Sequence, residues 1–165
     1  MKITTLNITK EQLDEIKNNY REYGIAPKRG SVEPNHGDLM EVCYKVHLKN
    51  NGANIDVNMN RDGVKWTKGS DIDTTSIKSS HASLVHDLTT RLPLDQAADY
   101  YLNNCHSTIY AYVEETQDGL TAFEMNKQDM RKFIIAYGSV QKNKGGFKLR
   151  LKENKSIVKY LFSLA

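Results

Sequence analysis

This chain has little of what staples, breaks or anchors a fold: its 165 residues include 3 prolines, 2 cysteines and 1 tryptophan. Cys43 and Cys105 are too few for the disulfide framework of a small secreted domain, and in a reducing compartment such cysteines are small buried hydrophobes. No apolar run comes near the roughly 20 residues that cross a bilayer. The opening Met1-Lys2-Ile3-Thr4-Thr5-Leu6-Asn7 lacks the apolar centre of a secretion signal, so a cytoplasmic location without membrane association is expected. Scarce proline and 10 glycines exclude collagen-like and low-complexity chains, while 39% hydrophobic and 26% charged residues strike an ordinary globular balance. The length suits one domain, 1–165, whose core needs neither metal nor disulfide. Internal repeats, long linkers and cofactor fingerprints are also missing, and no cofactor is expected.

What the chain has is a separation of charge. Residues 141–159 hold seven cations, Lys142, Lys144, Lys148, Arg150, Lys152, Lys155 and Lys159, against one anion, Glu153. Of 23 cations and 20 anions in all, 16 and 19 are left for the rest, so the net +3 conceals a basic segment in an otherwise slightly acidic chain. Such a field attracts polyanions or an acidic protein surface.

Local patterns predict the elements. Thr9 and Gln12 fit a capping box, Ile8 and Leu13 a hydrophobic staple, and Leu13, Ile16, Tyr20 and Tyr23 recur at helical spacing until Gly24. Residues 26–38 read as loop. Val42, Tyr44, Val46 and Leu48 alternate with polar neighbours as a half-buried strand would. The Asn51-Gly52 pair then predicts a hairpin into Ile55, Val57 and Met59, and Asp62-Gly63 a turn into Val64-Lys65-Trp66, giving a three-stranded meander. Residues 69–80 read as polar loop, and Leu84, Val85 and Leu88 suggest a helix ending near Pro93, with a second helical stretch over 94–102. A hairpin about Asp118-Gly119 joins strands 108–113 and 120–125. Asn126 caps a helix carrying Met130, Phe133, Ile134 and Tyr137, and a strand over 147–151 leads to a final helix with Ile157, Val158, Leu161 and Leu164. Hairpins and helices in blocks predict an α+β fold, an antiparallel meander packed against several helices. The expected core is Leu13, Ile16, Val42, Tyr44, Val46, Ile55, Val57, Ile109, Phe133, Leu149 and Leu161.

Within the basic segment, Phe147, Leu149 and Leu151 alternate with Lys148, Arg150 and Lys152, so one strand face turns inward while its other face carries three cations. Gly145-Gly146 would let the backbone approach a phosphate, and Lys142-Asn143-Lys144 adds two charges. The bland alternative is an edge strand that carries lysines to prevent edge-to-edge pairing.

Other constellations are weaker. Asp71-Ile72-Asp73-Thr74-Thr75 resembles the DxDxT motif of haloacid-dehalogenase-type phosphatases, but the apolar strand that must precede it is replaced by Trp66-Thr67-Lys68-Gly69-Ser70; a capping or solvent-loop role is expected. Cys43 and His47 share a predicted face, yet with Cys105, His106, His81 and His86 they lack the close ligand pairs of a zinc site, and no metal is expected. The order helix, three-strand meander, helix, strand resembles restriction-endonuclease-like nucleases. That resemblance implies a divalent metal held by an Asp on the second strand and an acidic-x-Lys triplet on the third. Asp56 falls on the expected second strand, but Asp62-Gly63-Val64-Lys65 is one residue too long for the triplet.

The sequence therefore leans away from an enzyme. It points first to a small nucleic-acid-associated domain that contacts the phosphate backbone through Lys142, Lys144, Lys148, Arg150, Lys152 and Lys155. The alternative is a protein-binding inhibitor or adaptor of the kind that a phage or mobile element directs at a host enzyme, and a metal-dependent nuclease ranks third.

Overall fold

The computed structural model describes residues 1–56, 63–79, 83–142 and 144–150; for Ser83 and Arg150 only the backbone is described. The chain is an α+β protein, and its described residues form four α-helices and two sheets. Among the described residues no helix is long and apolar enough to cross a membrane.

Helix α1 (Lys10–Asn18) starts as expected, with Thr9 Oγ1 accepting from the Gln12 amide and Gln12 Oε1 accepting from the Thr9 amide, both at 3.0 Å. It stops sooner than predicted, and a 3-10 turn (Tyr20–Tyr23) carries the chain to left-handed Gly24. The predicted strand over 42–48 is instead the interior of helix α2 (His36–Asn50), whose Asn35 cap accepts from the Asp38 amide. Alternation from Val42 misleads because the buried set is Leu39, Met40, Cys43, Tyr44, His47 and Leu48, a stripe two residues wide repeating every four. Asn51-Gly52 accordingly closes a helix rather than a hairpin.

The meander exists on other residues: β2 (Asn54–Ile55), β3 (Val64–Lys68) and β4 (Asp71–Ser79) pair antiparallel in sequence. The stretch expected as loop is thus the longest strand among the described residues. Its Ile and Thr residues favour extended backbone, and its buried hydroxyls find partners, as where Trp66 Nε1 donates to Thr75 Oγ1 at 3.0 Å. Likewise the predicted helix near Leu84 is strand β5 (Ser83–Leu88), with Leu84 buried and Val85 exposed. Helix α3 (Leu94–Asn103), the hairpin β6 (Ile109–Thr116) and β7 (Gly119–Met125), and helix α4 (Lys127–Tyr137) follow as read, with Asn126 capping through the Asp129 amide.

The large sheet runs β1-β7-β6-β4-β3-β2, where β1 is Lys2–Thr5 and β4 lies parallel to β6. The β6–β7 hairpin divides the core by alternation. Ala111, Val113, Leu120 and Ala122 face α1 and α2, while Tyr110, Tyr112, Phe123 and Met125 face α3, α4 and a small sheet. That small sheet is β5-β9-β8, with β8 Ser139–Val140 and β9 Gly145–Arg150. Arg131 bridges the helices above it, its Nε and Nη2 reaching Asp99 at 2.6 and 3.2 Å. Of the expected core, Ile16, Tyr44, Phe133 and Leu149 are buried, and Leu13, Val42, Val46, Ile55 and Ile109 are half-buried. Val57 and Leu161, with the final helix, lie outside the described residues.

Candidate basic cleft beside the small sheet

Strand β9 behaves as its alternation demands. Phe147 and Leu149 are fully buried against α3 and its neighbours, which turns Lys148 to the opposite face, where it stands across from Val85 on β5 and Ser139 on β8. The backbone of Arg150 pairs opposite Ser83. Lys152 and Lys155 lie outside the described residues. The strand is the middle of its sheet rather than an edge, although β8 covers it only at Phe147 and Lys148.

Gly145 and Gly146 have a different reason to be glycine from the one the sequence suggested. Gly146 sits at φ +94°, and a Cβ there would overlap the carbonyl oxygen of His86; one on Gly145 would meet the carbonyls of Thr90 and Leu88. The missing side chains let β5 approach β9, a packing requirement internal to the sheet.

The turn between β8 and β9 carries Lys142 and Lys144 beside a segment the sequence did not single out, 91–93. Together they enclose a surface cleft of about 340 Å³ whose polar wall includes Arg91, Lys142, Lys144 and Gln141 and whose apolar wall includes Leu92 and Val140. Gln141 braces the turn, its Nε2 donating to Asp87 Oδ1 at 2.6 Å and to the Gly145 carbonyl at 3.2 Å. Lys144 Nζ stands 3.4 Å from Asp87 Oδ2. These contacts, the Gln141 hydrogen bond first, hold the Asp87 carboxyl below its ordinary range, so it remains an anion at the cleft's rim. No local pattern around Arg91 marks it; the long-range pairing of β5 with β9 brings it to these lysines.

On β5, His86 packs against both Tyr101 and Phe147, with ring centroids 5.1 and 6.0 Å away. Burial lowers its pKa, against the opposing pull of Asp87, and favours the neutral imidazole. His47 is also neutral by burial, reinforced by Lys2 and Lys68, and its Nδ1 accepts from the Asn7 amide at 2.7 Å.

The remaining candidates separate. Cys43 and His47 share a face of α2, one helical turn apart and buried, instead of a strand face; among the described residues no group of three or more His, Cys, Asp or Glu could hold a metal ion. Asp71 and Asp73 begin β4, so the DxDxT letters stand at the wrong end of a strand, and Asp73 accepts from Thr108 Oγ1 at 3.0 Å. The nuclease-like order of elements is interrupted by β5 between β4 and α3, and Asp56 follows the first meander strand rather than lying on the second. The third strand, β4, reads Ser76-Ile77-Lys78, with serine where the triplet needs an acid. Asp62 lies outside the described residues. Comparison of the chain with protein-family models, curated proteins and solved structures returned no match.

Proposed function

We propose that this protein is a nucleic-acid-associated binding domain that holds a phosphate backbone along the outer face of β9 and the adjoining cleft. The observation that carries the proposal is the complete burial of Phe147 and Leu149, which commits Lys148 to the outward face of the strand. Arg91, Lys142 and Lys144 extend the cationic surface at the end of the same strand. Each cation that neutralises a phosphate releases condensed counterions, so affinity comes from charge density rather than from base contacts.

The test is salt-dependent binding of duplex and single-stranded DNA and RNA by the parent and by a Lys148→Gln, Arg150→Gln, Lys152→Gln triple variant. The variant keeps the buried alternation and should fold as the parent does. Binding should weaken for all sequences alike, and on duplex the slope of log K against log salt should flatten by about two to three units. Equal binding by parent and variant, or no binding by the parent at about 50–100 mM salt, would defeat the proposal and leave the inhibitor reading in its place.

A further inference from the structure

We infer that the cleft takes a phosphomonoester, the terminal phosphate of a nucleotide or of a nucleic-acid strand, in preference to an internal phosphodiester. The strand-end form of this ligand rests on the nucleic-acid reading above; the free-nucleotide form does not. Three features of the cleft select it.

The first is charge. Among the described residues Arg91, Lys142 and Lys144 line the cleft and no carboxylate does, while Asp87 touches it from the rim through Gln141 and Lys144. The local balance is about +2 counting Asp87, which matches the charge of about −1.5 to −2 on a phosphomonoester near neutral pH; an internal diester brings only one negative charge. The second is the kind of cation. Arg91 offers a planar fork suited to two oxygens of one phosphate, and the lysines add point charges from the facing turn. The third is size and lining. A volume of about 340 Å³ lies near the low end of small-ligand clefts, and the apolar wall, where Val140 is 48% exposed, gives a sugar or base a surface to cover. One nucleotide fits this description; a duplex does not.

The experiment compares a short single-stranded oligonucleotide bearing a 5′-phosphate with the same strand ending in a 5′-hydroxyl, and adenosine 5′-monophosphate with adenosine, by fluorescence anisotropy and calorimetry at low salt. The phosphorylated strand should bind about tenfold more tightly, the equivalent of one charge-assisted contact. An Arg91→Gln, Lys142→Gln variant should erase that preference while keeping the parent's melting temperature, and Arg91→Lys should retain part of it. The triple variant on β9 should weaken both strands equally and leave the preference intact. Equal affinity for the two strands would overturn the inference even if both bind. Binding of the monophosphate through Arg91 with no binding of either strand would uphold the cleft and refute the nucleic-acid reading, and absence of all binding would refute both.

Discussion

Replacing Gly146 by alanine tests whether the glycine pair serves the sheet or a ligand. At φ +94° an L-residue is strained by about 1–2 kcal/mol. The added Cβ would also overlap the His86 carbonyl, so β5 must withdraw from β9 where Asp87 pairs with Gly146. Loss of one or two ladder hydrogen bonds at about 1 kcal/mol each brings the cost to about 3 kcal/mol. For a chain of this length, 2–4 °C per kcal/mol converts that to a fall in Tm of about 6–12 °C. Gly52 supplies the control: it sits at φ +86° with nothing within 4 Å of an added Cβ, so Gly52→Ala should show the backbone strain alone. Thermal unfolding followed by circular dichroism, without any ligand, is the assay. Should Gly146→Ala melt no lower than Gly52→Ala, the close approach of β5 to β9 is wrong. A Gly146→Ala protein of normal stability that had lost nucleic-acid binding would restore the glycines to a phosphate-contacting role.

Three further outcomes are expected. Stability should fall as pH drops below about 6.5, because His47 has a lowered pKa in the fold and the unfolded chain takes up the proton first; an imidazolium cannot accept from the Asn7 amide. His47→Asn, which keeps an acceptor near the Nδ1 position, should flatten the pH dependence of urea midpoints, and an unchanged dependence would assign it elsewhere. Burial pushes the Cys43 thiol up to about 12, with Glu115 adding to the shift and Lys17 opposing it, so a thiol reagent near neutral pH should label half-buried Cys105 quickly and Cys43 only on unfolding, as read by mass spectrometry. Thr9→Ala removes the side-chain half of the α1 cap and should cost about 1 kcal/mol, or about 2–4 °C in Tm.

Elements with a local signal were legible. Thr9 and Gln12 begin α1, Asp118-Gly119 turns a hairpin, and Asn126 caps α4, because each choice is made within four residues. Elsewhere the local pattern is too short to fix its period, or packing overrides it. In α2 the every-other-residue pattern from Val42 shares only Tyr44 and Leu48 with the buried helical stripe that begins at Leu39, and Val42 and Val46 are half-buried beside it. In β4 the sequence is polar on both faces, yet the strand lies between β6 and β3 because its backbone completes the sheet and Thr75 accepts from Trp66 on β3. No window of sequence contains those neighbours. The parallel pairing of β4 with β6 is equally non-local, and without it the fold looked wholly antiparallel.

The candidate site divides along the same line. Alternation within β9 is local, so the outward placement of Lys148 could be read directly, whereas Arg91 is separated from Lys142 by the whole of α3, β6, β7 and α4. It becomes part of the cleft only because β5 returns to pair with β9, and that pairing in turn depends on two glycines whose missing side chains admit the opposing carbonyls. A glycine pair beside lysines therefore carries a meaning the sequence could not assign. Its conformational demand comes from strand contact, and its effect on charge is indirect: it fixes the β8–β9 turn close enough to residue 91 for three cations to share one cleft. Loss of Gly146 should consequently weaken anion binding only as far as it separates β5 from β9, and a substitution at Arg91 should weaken it with the sheet intact. The order of those two effects, stability first at Gly146 and binding first at Arg91, is what a cleft assembled by sheet pairing requires.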